Sequence, residues 1–270
     1  MNIKNVFQGW KSLLYVEALR KVFSNYKIAL DILSLDLVLY FLGLVLYILF
    51  FYLNQNAVYI QKLSLNPIIL IGISLLYPLI ILVIYSFVKY NVLNLIAEIV
   101  SGNKSVKLAE IIGLKNFKIK KFIAFIGLNV ILMIGSFVIF IAVNSVLMSF
   151  IAENYLSTAN IILNFSLFGF FYLIFNFAQT VFFVEGKFKA VFSKEFFSVK
   201  VKKGVHILGY SLVVLILYTG ILFLVSKLFA DSLTPNSTAF IVMSVITTVV
   251  YYLVHFVNRV CIFMIYKGEY

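Results

Sequence analysis

Two histidines, one cysteine and ten carboxylates are the strongly reactive side chains of these 270 residues, and none stands in a spacing that catalysis would need. No H-E-x-x-H is present to hold zinc across one helical turn. The stretch GISLL at 72–76 offers G-x-S without the second glycine of a nucleophile elbow. A single cysteine, Cys261, excludes disulfides within the chain and any multi-cysteine metal site. The pattern points away from an enzyme, and no residue grouping asks for a cofactor.

The elements that hold these residues follow from composition. Hydrophobic residues make up 63% of the chain and charged ones 12%, against about 45–50% and roughly 25% in soluble domains. The apolar residues come in runs of more than about 18, the length that crosses a membrane as a helix. We read an all-α polytopic membrane bundle with six transmembrane helices at about 33–53, 67–89, 122–149, 160–184, 205–229 and 238–266, preceded by an N-terminal cytoplasmic segment, 1–32. The first apolar run starts past residue 30 and lacks an A-x-A-like site, so it reads as a span and not as a cleaved leader. Pro67 suits the first turn of the second span, Pro78 lies within it as a kink site, and Gly102 is its expected stop. Asn91, Asn94 and Glu98 mark a polar stripe that carries this helix past the membrane.

Within that frame His255 lies about 17 residues into the sixth span, roughly 25 Å from its outer end at ~1.5 Å per residue. Asn176 and Gln179 are similarly deep in the fourth span, and Asn129 is about 12 Å in from the inner end of the third. Asn129, Asn176, Gln179 and His255 therefore form a candidate buried polar cluster in the inner half of the bundle. Ionisable residues inside spans mark functional sites by default, and the competing role is a neutral imidazole serving as interhelical glue. Arg259, one turn further, is expected to snorkel to the inner interface. His206 reads as an interfacial residue at the mouth of the fifth span.

Charge sets the orientation. Of the 22 lysines and arginines, five lie in 1–32, six in 90–121 with Lys89 at the edge, and six in 185–204, whereas the three other connections hold only Lys62. Cations of short loops stay on the cytoplasmic side, so both termini are expected in the cytoplasm and the protein in the cell membrane. The expected partners are membrane lipids, through anionic headgroups at the inner face, together with other membrane proteins; the basic balance does not indicate nucleic acid. Trp10, Lys120, Lys121, Lys200, Lys202 and Lys203 are the candidate inner-face lipid anchors. The N-terminal segment carries Ile3, Val6, Phe7, Trp10, Leu13 and Leu14 on one face, then Ala18, Leu19, Val22, Phe23 and Tyr26 on another. That change of phase predicts either a helix break near Val16 or two halves contacting different things: the first on the inner leaflet, the second docked on the bundle.

Gly9, Gly102 and Gly186 are followed by Glu17, Glu110 and Glu195 and then by Lys27, Lys120 and Lys203 at closely matched offsets, which suggests three helical-hairpin repeats with inner-face amphipathic helices. The stretches VEGKFKAVFSKEFFSVKVKKGVHILGY (184–210) and VSGNKSVKLAEIIGLKNFKIKKFIAF (100–125) resemble the inner segments of six-span prokaryotic membrane proteins related to the membrane domain found beside glycerophosphodiester phosphodiesterases. The resemblance implies an all-helical six-span bundle and no catalytic residues; the phosphodiesterase barrel itself has no counterpart in the chain. Two functions remain: a non-enzymatic integral membrane protein acting through lipid or protein contacts at the inner face, or a small transporter or permease subunit using the buried polar cluster.

Overall fold

The computed structural model describes residues 14–55, 67–102, 118–149, 156–193 and 238–268 and, between the last two stretches, residues 205, 207, 209, 211, 213, 216 and 218–221. The described residues are helical with no strands. In order they form α1 (Leu14–Ser24), α2 (Tyr26–Gln55), α3 (Pro67–Ser101), α4 (Ile119–Ser149), α5 (Leu156–Glu185), the single turn α6 (Phe188–Val191) and α7 (Thr238–Lys267). Five of them contain stretches of 20 to 28 residues long and apolar enough to cross a membrane. The chain is an α-helical, multi-pass integral membrane protein. The fifth expected span, 205–229, lies mostly outside the described residues; those of its residues that are described are helical.

Helix ends follow local chemistry. Pro67 opens α3, where its missing N–H is no loss, and the helix continues through Pro78 to Ser101. Gly102, Gly186 and Gly268 follow the last residues of α3, α5 and α7 with φ of 77°, 71° and 74°, the left-handed stop that a side chain resists. Gly102 is the expected stop of α3. From Leu14, the first described residue, α1 runs through Val16 without interruption. A break falls at Asn25, and α2 starts at Tyr26, about two turns before the expected membrane entry at residue 33. The apolar face expected after residue 17 is only half buried: Ala18 and Val22 are enclosed, whereas Phe23 and Tyr26 are exposed.

The chain divides into two compact units. One contains α2, α3, α4 and the segment 182–188. Here α3 packs on both α2 and α4, and the buried side chains of α2 and of α4 lie toward one end of each. Ile28, Ile32 and Leu35 of α2 are buried, but Leu37, Tyr40, Phe41, Tyr47 and Ile48 are bare. In α3 the buried run is 88–93 with Leu95, Ile96, Ile99 and Val100. Tyr90 is the hub: its ring meets Phe122, Phe125 and Phe183 edge-on at 6.0, 5.5 and 5.3 Å, the arrangement aromatic quadrupoles favour. Lys121 donates to the Phe183 carbonyl and lies over its ring, satisfying one of the carbonyls that the end of α5 leaves without an intrahelical partner. Lys89, counted above as an inner-edge cation, is buried.

The other unit contains α1, residues 161–181 of α5, the described residues of 205–221 and α7. α1 packs against α7, so the half after Val16 docks on the bundle as expected; the leaflet-binding half, with Trp10, lies outside the described residues. α7 shows the same polarity as α2. Its first half exposes Ile241, Val242, Val245, Ile246 and Val249, and its second half is buried from Phe256 to Ile265. Bare apolar ends of this length are what hydrocarbon covers.

The positive-φ glycines give a direct check. Gly102→Ala and Gly268→Ala, where an added Cβ meets nothing within 4 Å, should each cost about 1–2 kcal/mol from backbone strain alone. Gly43→Ala, in equally open space within α2, should instead stabilise by up to about 1 kcal/mol. Denaturation by SDS in mixed micelles reads both; equal effects at all three positions would refute the assigned caps.

Candidate functional site

The second half of α7 carries His255, Asn258 and Arg259 at i, i+3 and i+4, so all three share a face. A chain of polar contacts runs through it. Ser211 Oγ stands 2.7 Å from Asn258 Oδ1 and 2.8 Å from the Ile207 carbonyl, one turn back on its own helix. The Tyr15 phenol of α1 hydrogen-bonds with Ser211 and has Cys261 beside it, and Cys261 Sγ lies 4.0 Å from the Leu14 carbonyl. On the other side Asn258 is within hydrogen-bonding reach of the Tyr172 hydroxyl. That hydroxyl donates to the His255 carbonyl at 3.4 Å, and the Tyr172 and His255 rings lie 5.3 Å apart. Four helical segments are thereby tied by one polar chain. Desolvation is the main reason it closes on itself, since each unpaired buried polar group would cost about 1–3 kcal/mol.

Two of the expected cluster members belong to this neighbourhood by position. Asn176 is buried and donates to the Tyr172 carbonyl at 2.7 Å, one turn back on α5, and Thr180 donates to the Asn176 carbonyl at 2.7 Å. His255 is half-buried with its ring against Tyr172. Gln179 is fully buried in the same unit. Asn129 belongs to the other unit, where its amide donates to Ser86 Oγ at 2.9 Å while Ser86 donates to the Leu82 carbonyl at 2.7 Å.

Arg259 corrects an expectation. It does not snorkel: only 4% of it is exposed, and its guanidinium lies 5.6 Å from the Phe256 ring centre. The cation is held by the packed end of α7, where a stacked guanidinium is the least costly of the cationic heads to desolvate. Of the expected lipid anchors, Lys120 is exposed and Lys121 is turned onto Phe183. Trp10, Lys200, Lys202, Lys203 and His206 lie outside the described residues.

Sequence reasoning missed Tyr15, Tyr172, Ser211 and Asn258. Their signal was present only as spacing: Asn258 falls one turn after His255, and Tyr172 one turn before Asn176. Seventeen tyrosines in an apolar chain hide the two that matter. Chemically, the groups touching Ser211 are an amide, a peptide carbonyl and a phenol, none of which is a general base at neutral pH. Among the described residues no group of three His, Cys, Asp or Glu gathers to hold a metal. No family model, curated protein or solved structure matches this chain. The fold and this neighbourhood define a class, an α-helical integral membrane protein with a polar chain inside its packed end.

Tyr15 offers a titration. Burial pushes its phenol from 10.0 up to about 12, with Cys261 adding to the shift and the Ser211 hydrogen bond opposing it. Below pH 10 the phenol is protonated whether the chain is folded or not, so its contribution is fully present. Between pH 10 and about 12 the unfolded chain releases the proton first, and stability is lost. Tyr15→Phe should therefore track the wild type below pH 10 and lose less stability above it. Parallel curves to pH 12 would contradict a buried phenol at this position.

Proposed function

We propose that the protein is a non-enzymatic component of the cell membrane that acts through lipid or protein contacts at its inner face. The observation that carries this reading is that buried polar side chains in both units bond to one another or to backbone carbonyls. Ser211 meets Asn258, Asn129 meets Ser86, and Asn176 and Tyr172 meet backbone carbonyls. The bonds that cross between helices, Ser211 with Asn258, Asn129 with Ser86 and Tyr172 with the His255 carbonyl, act as interhelical glue, worth about 0.6 kcal/mol per contact on average. The surface left for partners is then the cationic end of the helices.

The finer architecture belongs to the same proposal: six spans in three hairpins, both termini cytoplasmic, and kinship with the six-span prokaryotic family named above. Asn91, Asn176 and Asn258, all buried, precede the left-handed Gly102, Gly186 and Gly268 by 11, 10 and 10 residues. Lys120-Lys121 and Lys202-Lys203 each precede a glycine, Gly127 or Gly209, and then Asn129 or Ser211 two residues later. Those last two are the residues that bond across to α3 and α7. Recurrence of both sequence and role supports repeated hairpins.

The transporter reading has one specific observation in its favour, the arginine buried within a span, since such groups commonly mark substrate paths. Affinity purification of the full chain in mild detergent, with analysis of co-purified lipids and proteins, separates the two. We expect anionic lipid or a protein partner to be retained, and to be retained equally by His255→Gln. His255→Leu should lower stability by roughly 1–2 kcal/mol without abolishing retention. Retention of neither lipid nor protein would overturn the reading, as would an activity abolished by Gln as completely as by Leu.

A further inference from the structure

We propose that Asp36 of α2 is the counter-ion of Lys89 of α3, and that this buried pair is a clasp holding the first span on the second. Lys89 is 7% exposed on a helix that crosses the membrane. A charge so placed is costly unless it is paired, and neither Lys89 nor Asp36 stands free. The other described carboxylates of this unit are badly placed to meet Lys89. Asp31 lies about 100° round α2 from Ile32, to one side of the buried face, and Glu98 lies on α3 itself, about 180° round from Lys89. Glu185 is exposed at the end of α5.

Position and register bring the two charges together. α2 packs on α3 through Ile28, Ile32 and Leu35. Asp36 comes one turn after Ile32, about 40° round the helix, and is half-buried, whereas Leu37 and Val38 beyond it are bare. Consecutive spans run antiparallel, so depth is counted from their facing ends. Asp36 lies 19 residues before Gln55, and Ser86 lies 19 residues after Pro67. The Lys89 side chain, one turn beyond Ser86, leans back toward the N-terminus of α3 and so toward that depth. The hairpins give a second line of argument. Nine residues after Lys27, Lys120 and Lys202 stand Asp36, Asn129 and Ser211. Asn129 and Ser211 each bond to a polar side chain of another helix, Ser86 and Asn258. Asp36 holds the same place in the first hairpin, and Ser86 already serves Asn129. Asn91 lies about 160° round α3 from Lys89 and donates to the Phe87 carbonyl of its own helix. Tyr85 can add a hydrogen bond at this depth but cannot neutralise either charge. Among the described residues of α2 none after Leu35 is buried, so the clasp sits where the packing of that helix ends.

The test is a double-mutant cycle in the full chain, read by SDS unfolding in mixed micelles. Asp36→Asn and Lys89→Met should each lower the folding constant at least about tenfold, because each leaves one buried charge uncompensated. Asp36→Asn/Lys89→Met removes both charges and should lose no more than the worse single variant. Asp31→Asn combined with Lys89→Met should lose the product of the two separate effects, since Asp31 is not the partner. Where the single variants fail to accumulate in the membrane, the level of the charge-free double variant decides. Its recovery supports the clasp, and a double as poor as the singles overturns it. Multiplicative effects at Asp36 and Lys89 would overturn the pair, as would coupling of Lys89 to Asp31 in place of Asp36.

Discussion

A polar group inside hydrocarbon has no water to turn to, and the structure follows from that constraint. Backbone groups satisfy it by forming helices of 30 residues and more, in α2, α3, α4, α5 and α7. Side chains satisfy it by pairing, and pairing requires close packing. The buried asparagines and serines accordingly lie where helices are enclosed. Asn91 sits in the buried run of α3, Asn176 in that of α5, Asn258 in that of α7. The opposite ends of α2 and α7 expose mostly Leu, Ile, Val, Phe and Tyr, and the threonines there, Thr247 and Thr248, return their hydroxyls to the Met243 and Ser244 carbonyls of their own helix.

Packing of this kind makes each helix two-sided in length as well as around its axis. One end is protein-like, with tyrosine–phenylalanine edges and short hydrogen bonds. The other is predominantly apolar, for lipid to cover. Cations lie at the packed ends within each unit: Lys121 on the Phe183 carbonyl with Lys118 and Lys120 beside it in one, Arg259 within the end of α7 in the other. The proposed function accordingly lies at these ends and not in the middle of the spans. The same pairing that stabilises the interior also removes its polar groups from chemistry, because a hydroxyl committed to Asn258 and to its own helix is not poised for a substrate.

Much of this was legible in the residues. Long apolar runs located α4, α5 and α7 to within a few residues, and Pro67 and Gly102 marked the ends of α3, because proline and left-handed glycine act through the backbone alone. The Asn25 break was not legible, because its neighbours continue a helical pattern on both sides. Arg259 was expected at the interface because snorkelling is the usual resolution for a cation near a helix end; Phe256 beneath it and the enclosed end of α7 provide another. The polar chain was legible only in part. Periodicity places His255, Asn258 and Arg259 on one face, but which neighbour that face meets depends on helix rotation and tilt, which no single segment encodes. Tyr15 entered the chain through tertiary docking and carried no signal of its own.

The claim on which the account turns is that the packed, cationic end of the helices faces the cytoplasm. Single cysteines at Ser198 and Ser232, in a Cys261→Ala background, measure it with a membrane-impermeant thiol reagent applied to intact and to opened cells. The account predicts that Ser232→Cys labels in intact cells and Ser198→Cys only after opening. The reverse pattern would contradict the orientation and the inner-face function together.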